Sequence, residues 1–158
     1  MDYYSKMQLN SRDYIKGDYE SHIKFLTKQN MEQLFIDNFG GWSDSVSEKK
    51  FFNSLDNGFV RLFFLKDVFV GYVSFNLEKD HNNSYMINDI HVVEQFQKQG
   101  YGTEILDYVI NKVLELKGKQ LRVFVFEKNP SLNFYKKNEF MEMNYLKKSN
   151  TFVMSRLI

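Results

Sequence analysis

The chain has 158 residues, a formal net charge of +1 and no cysteine, which excludes several classes at once. One domain spanning residues 1–158, with a sizeable core, is expected at this length. The near-neutral charge argues against bulk capture of nucleic acid, and the missing cysteine removes thiol nucleophiles, disulfides and thiolate metal sites.

The three histidines, His22, His81 and His91, show no metal-ligand spacing, so no metal is expected. No apolar run approaches membrane-spanning length. The first residues, Met1-Asp2-Tyr3-Tyr4-Ser5-Lys6, carry no signal-peptide pattern. A cytoplasmic protein that touches neither membrane nor nucleic acid is the expectation. The chain lacks alanine and is rich in phenylalanine, tyrosine, lysine and asparagine. AT-rich coding accounts for that skew, and most of the 16 phenylalanines are expected in the core.

In chain order, Met7–Arg12 reads as a short strand. Asp18 reads as the N-cap of a helix reaching about Gln29, with Ile23, Phe25 and Leu26 on its apolar face. A second helical stretch runs from Met31 to Asn38 and is broken by Gly40-Gly41. Ser43–Leu55 is a third helix. After the turn Asp56-Asn57-Gly58, three strands follow over Phe59–Leu65, Val68–Asn76 and Tyr85–Val93. The first two form a hairpin through Lys66-Asp67. Thr103–Lys117 is the clearest helix, with Ile105, Leu106, Val109, Ile110, Val113 and Leu114 at helical spacing. Leu121–Phe126 is almost wholly apolar, the pattern of a central strand covered on both faces. A short helix from Pro130 to Asn138 and two strands, Met141–Lys147 and Thr151–Leu157, complete an α+β (mixed α/β) order.

The run Gln97-Lys98-Gln99-Gly100-Tyr101-Gly102 sits between a strand and this clearest helix. Glycine lets the backbone present amides without Cβ obstruction, and helix N-termini attract anions. No Gly-Lys-Ser/Thr follows, so this is no Walker A loop, and the third glycine of a dinucleotide fingerprint is missing. Two readings of the run stay open: a phosphate cradle, or an ordinary turn that starts a helix.

Ile90-His91-Val92, five residues, then Gln-x-x-Gly-x-Gly and an apolar helix resembles motif A of the GNAT superfamily of acyl-CoA-dependent N-acyltransferases. Downstream, Asn129-Pro130-Ser131-Leu132-Asn133-Phe134-Tyr135-Lys136-Lys137-Asn138-Glu139-Phe140 resembles that family's motif B. The order of elements agrees along nearly the whole chain. Two positions depart from the pattern. Glu139 stands where glycine is usual, and Lys128 occupies the place of the family's asparagine, with Asn129 one residue closer.

The resemblance implies a mostly antiparallel sheet of six or seven strands flanked by four or five helices, with one central pair splayed. It implies acetyl-CoA as co-substrate and a small-molecule or protein amine as acceptor; a homodimer is compatible with it. The backbone of Ile90, His91 and Val92 would pair with the pantetheine arm. The Gln97, Lys98, Gln99, Gly100, Tyr101, Gly102, Thr103 segment would hold the pyrophosphate, with Asn129 a further cofactor contact. Tyr135 would be the general acid toward the departing thiolate, and a backbone amide of Ile90–Val92 would hold the oxyanion. Asp89, His91 and Glu127 are candidate bases, each also readable as a solvated or structurally paired side chain. Trp42 borders the expected acceptor pocket, or else is a core aromatic beside a helix break. A non-catalytic acyl-CoA-binding module is the alternative from another class, and a nucleotide-binding regulator a third.

Overall fold

The computed structural model describes residues 8–81 and 83–158. Four α-helices cover the two faces of one seven-stranded sheet. The strands are β1 (Asn10–Asp13), β2 (Phe59–Leu65), β3 (Val68–Leu77), β4 (Ser84–Val92), β5 (Gln120–Phe126), β6 (Met141–Leu146) and β7 (Thr151–Leu157). They lie in the order β1-β2-β3-β4-β5-β7-β6. Only β4 and β5 run parallel. Met7, at the start of the first expected strand, lies outside the described residues.

Each expected strand is found, most of them within one residue of the boundaries read from the sequence. The N-terminal helices differ. In place of two helices there is a π-helical turn, Tyr19–Ile23, running directly into α1 (Lys24–Phe39). Asn30 does not break α1, because neither glycine nor proline interrupts the repeat there. Asp18 is not a side-chain cap either. Its buried carboxylate takes the Arg12 guanidinium at 2.7 and 3.0 Å and the Ile15 amide at 2.8 Å. Gly40, at φ 81°, ends α1 in the left-handed region. Ser43 then caps α2 (Asp44–Asn57) by accepting from the Val46 amide.

The helices divide by face. Tyr19, Ile23, Leu26 and Phe51 pack with Val60, Leu62 and Tyr72 on one side. On the other, Ile105, Leu106, Val109 and Val113 of α3 (Tyr101–Glu115) and Tyr135 of α4 (Ser131–Lys137) pack on Val73, Ile87, Leu121, Val123 and Val125. The expectation that most phenylalanines are core is only partly met. Phe51, Phe63, Phe75 and Phe140 are buried, while Phe25, Phe39, Phe59 and Phe124 are exposed. Nor is β5 covered on both faces, since Phe124 is 53% exposed.

Glu139 has φ 69°, so the helix exit usually given to glycine keeps its left-handed backbone here. Its carboxylate reaches Arg156 at 3.0 Å.

The Arg12–Asp18 fork fixes the approach of β1 to α1. Burial pushes the Asp18 carboxyl up, but the Arg12 bonds and the Ile15 amide outweigh it and hold the group below the usual carboxylate range. A depressed folded-state value stabilises the fold above the unfolded pKa of about 4 and loses that contribution as pH falls through the folded value. Arg12→Ala is expected to cost on the order of 1–3 kcal/mol at neutral pH and to flatten the acid limb of stability, as urea denaturation across pH 2–7 can measure.

Candidate active site

The site is built where β4 and β5 part company. The two strands pair from Ser84↔Gln120 to Ile87↔Val123 and no further, although β4 runs on to Val92 and β5 to Phe126. The register of β4 against β3 moves from Phe75↔Ile87 to Ser74↔Asp89, leaving Asn88 as an extra residue in a β-bulge. The bulge reverses which face each later residue takes. Tyr85 and Ile87 face the α3 side before it, and Ile90 and Val92 face that side after it. Asp89 and His91 are thereby turned toward α1 and α2. Without the extra residue, both would be driven into the apolar layer beneath α3.

On that opposite face lies a cavity of about 670 Å³. Its walls come from α1, the α1–α2 connection, α2, β3, β4, β5 and the β6–β7 turn, and Asp89, Asn129 and Trp42 all line it. Trp42 meets Phe35 edge-on at 5.2 Å between ring centroids and donates its indole N–H to Asp44 at 2.9 Å. Asn129 spends its side-chain oxygen on the Ser131 amide at 2.9 Å, leaving its amino group for the cavity.

His91 is buried, and its ring stands between two side chains. Asn30 Nδ2 lies 3.2 Å from Nδ1 and 3.4 Å from the Val92 carbonyl. A carbonyl only accepts, so the amino end of Asn30 points here and Nδ1 accepts from it. The imidazole proton then sits on Nε2 and is donated to Asp89 Oδ1 at 3.2 Å. Both ring nitrogens are thus occupied, and Asp89 lines the cavity. Asn30 was invisible as a site residue in the sequence, because only the fold brings it beside His91. Glu127 is placed elsewhere. It is exposed, lies outside the cavity wall and accepts from the Tyr145 hydroxyl at 2.8 Å.

Tyr135 comes from the α4 side. Its ring packs between Phe134 and Phe140, with centroids 5.1 and 5.2 Å away. Among the described residues its hydroxyl has no hydrogen-bond partner. Burial first and the negative charge of Asp89 second hold that hydroxyl well above the ordinary tyrosine range. The Tyr72 hydroxyl is raised by the same two causes.

The glycine loop stands at the start of α3. Gly100, at φ 87°, is the helix N-cap, and Lys98 at φ 60° also takes a left-handed backbone. The backbone amides of Lys98, Gln99, Gly100, Gly102 and Thr103 donate to no protein acceptor among the described residues. The loop is braced from within: Gln97 donates to the Val92 carbonyl at 2.9 Å and Gln99 to the Gln95 carbonyl at 2.8 Å. Tyr101 buries its ring. Gly102 serves packing, since a Cβ there would come within 3.3 Å of the Phe134 ring. Unsatisfied amides on a left-handed turn at a helix N-terminus, opening onto an unpaired strand edge, suit a pyrophosphate joined to an amide-bearing arm. The residues present therefore fit coenzyme A.

A profile of the acetyltransferase (GNAT) family matches residues 28–140. The chain belongs to that family. As a GNAT protein it is an acetyltransferase. A sequence search of curated proteins found no match. The fold is similar to that of PaiA N-acetyltransferase from Thermoplasma acidophilum, solved in complex with coenzyme A, at TM-score 0.77 and 14% identity over 96% of this chain and 100% of that one. It is also similar to a GNAT family acetyltransferase from Elizabethkingia anophelis with acetyl-CoA bound, at TM-score 0.72 and 17% identity over 97% and 100%. A third similar structure is the ribosomal-protein-S18-alanine N-acetyltransferase of Escherichia coli, at TM-score 0.70 and 13% identity over 96% and 94%. The seven-stranded sheet, four helices and parted central pair agree with the GNAT architecture.

His91→Leu removes the donor to Asp89 and strands the amino group of Asn30. A loss of about 1–3 kcal/mol is expected for leaving such groups unmatched. An unchanged denaturation midpoint would show that the Asn30–His91–Asp89 chain is not formed.

Proposed function

We propose that this acetyltransferase moves an acetyl group from acetyl-CoA to a primary amine by direct attack, with no covalent enzyme intermediate. The observation that carries this reading is the gap between β4 and β5. On the side facing β5 the β4 backbone is unpaired from Asn88 onward, a donor-rich loop follows β4, Asp89 lies on the cavity side, and Tyr135 lies in the core of the opposite face within electrostatic reach of Asp89. Acetyl-CoA would supply an activated acetyl thioester.

In this reading the edge of Ile90, His91 and Val92 pairs with the pantetheine amides as an added strand. Amides of the Lys98–Thr103 segment hold the pyrophosphate, with Lys98 adding charge and the Asn129 amino group a further donor. Asp89 holds the acceptor ammonium, takes one proton from it and releases that proton to solvent. The amine nitrogen then forms its bond to the thioester carbon, and a backbone N–H of the Ile90–Val92 strand steadies the carbonyl oxygen as it gains charge. The carbon–sulfur bond breaks with its electron pair on sulfur. Tyr135 gives sulfur a proton and recovers one as the nitrogen loses its second proton in becoming the amide.

The raised Tyr135 hydroxyl keeps its proton throughout the neutral range. Full transfer to a free thiolate, whose thiol titrates near 8.5, would run uphill. Tyr135 therefore acts by hydrogen-bonding to sulfur as charge develops and by transferring late. Glu127 stands outside this scheme, and the His91 side chain enters it only by orienting Asp89.

The direct test is release of free thiol from acetyl-CoA on addition of primary amines. Amine-dependent release is expected, whereas tight acetyl-CoA binding without release on any amine favours the non-catalytic module. Tyr135→Phe should lower kcat by about 100-fold or more while acetyl-CoA Kd, followed by calorimetry, changes little. Because the acid form of Tyr135 is the working one and its pKa is raised, kcat should show no falling limb below about pH 10. Gly100→Val forces a β-branched residue into a left-handed turn and should abolish measurable acetyl-CoA binding, with the circular dichroism spectrum retained.

A further inference from the structure

The acceptor end of the cavity has a composition that selects among amines. Phe35, Phe39, Trp42 and Phe126 form one cluster of rings, with Phe35–Trp42 at 5.2 Å, Phe35–Phe39 at 5.5 Å, Phe35–Phe126 at 5.6 Å and Phe39–Phe126 at 5.7 Å. Phe124 joins the same wall. Two of these rings stay unusually open, Phe39 at 56% exposure and Phe124 at 53%. Large aromatic surface left facing a concave space is apolar area that a ligand can cover.

Charge is scarce on the same wall. Among the described residues lining the cavity, Asp89 is the one acid and Lys50 the one base. A polyamine or an aminoglycoside brings several positive charges, each needing a partner when it leaves water. This wall offers one partner and opposes it with a like charge at Lys50. A single ammonium with an apolar body meets the opposite situation: Asp89 takes the charge and the rings take the body.

We propose that the acceptor is a small monoamine whose primary amino group is carried on an aromatic or similarly bulky apolar body, of the arylalkylamine type. This rests on the acetyl-transfer reading above.

The test is a thiol-release panel with 2-phenylethylamine, tryptamine, ethylamine, spermidine, an aminoglycoside and a Phe-Gly-Gly peptide amide, alongside an acetyl-CoA titration. The arylalkylamines should exceed spermidine, the aminoglycoside and the peptide in kcat/KM by at least about tenfold, the scale on which apolar pockets discriminate. Phe39→Ala and Phe124→Ala remove side chains already more than half exposed, so both should fold. Each should raise the arylalkylamine KM relative to that for ethylamine, with acetyl-CoA Kd unchanged. Preference for spermidine, the aminoglycoside or the peptide, or an arylalkylamine-to-ethylamine ratio that neither variant moves, overturns the acceptor assignment and leaves acetyl transfer standing. Acetyl-CoA binding with no release from any amine overturns acetyl transfer itself, and the assignment with it.

Discussion

The site depends on hydrogen bonds that β4 and β5 do not make. Parallel strands ordinarily continue pairing while both persist, because each unpaired N–H and C=O is costly once removed from water. Here pairing stops at Ile87↔Val123, and the next residue of β4 is the bulged Asn88. Asn88 is held by Asn76 at 2.7 Å, so β3 anchors the irregularity rather than β5. From that one extra residue follow an edge free to take a peptide-like guest, and the rotation of Asp89 and His91 onto the cavity face. Gly71 makes the arrangement tolerable on the other side of β4, since a Cβ there would collide with the His91 carbonyl.

Two polar arrangements meet at the gap with opposite demands. On the α1 side, Asn30, His91 and Asp89 form a chain in which every nitrogen has a use, so the carboxylate is oriented before any ligand arrives. On the α4 side, the Tyr135 hydroxyl stands in apolar surroundings and has no hydrogen-bond partner among the described residues. Burial and the nearby carboxylate both keep it protonated. An oriented carboxylate and a retained proton on opposite faces suit the proposed reaction, which removes protons from nitrogen and supplies one to sulfur.

Much of this was legible in the sequence where the signals are local. Strands β2 and β7 begin and end at the expected residues because turn residues bound them, and the glycine loop announces itself by its position before a strongly amphipathic helix. Contacts between distant segments left no such mark. The bulge at Asn88 is a matter of pairing with β3, and the role of Asn30 comes from a histidine 61 positions away. The sequence reads as two helical stretches meeting at Asn30, yet Lys24–Phe39 is one helix, with no glycine or proline inside it and the Asn30 side chain spent on His91. The aromatic wall was hidden by composition. With 16 phenylalanines in the chain, none stood out, although Phe35 and Phe39 one helical turn apart and Phe124 and Phe126 at strand alternation carried the pattern.

The contact between Gly102 and the Phe134 ring joins parts that otherwise answer to different ligands. Gly102 belongs to the first turn of the helix that would meet the pyrophosphate in the proposed reading, and Phe134 adjoins Tyr135, the residue proposed to face the sulfur. In the proposed reading, the space between them, which a Cβ on Gly102 would narrow to 3.3 Å, sets how far the anchored end of the donor stands from the reactive end. Wedging the two helices apart would detune the chemistry while touching neither ligand. A defect arising there would present as poor catalysis by an enzyme whose proposed catalytic side chains are all intact.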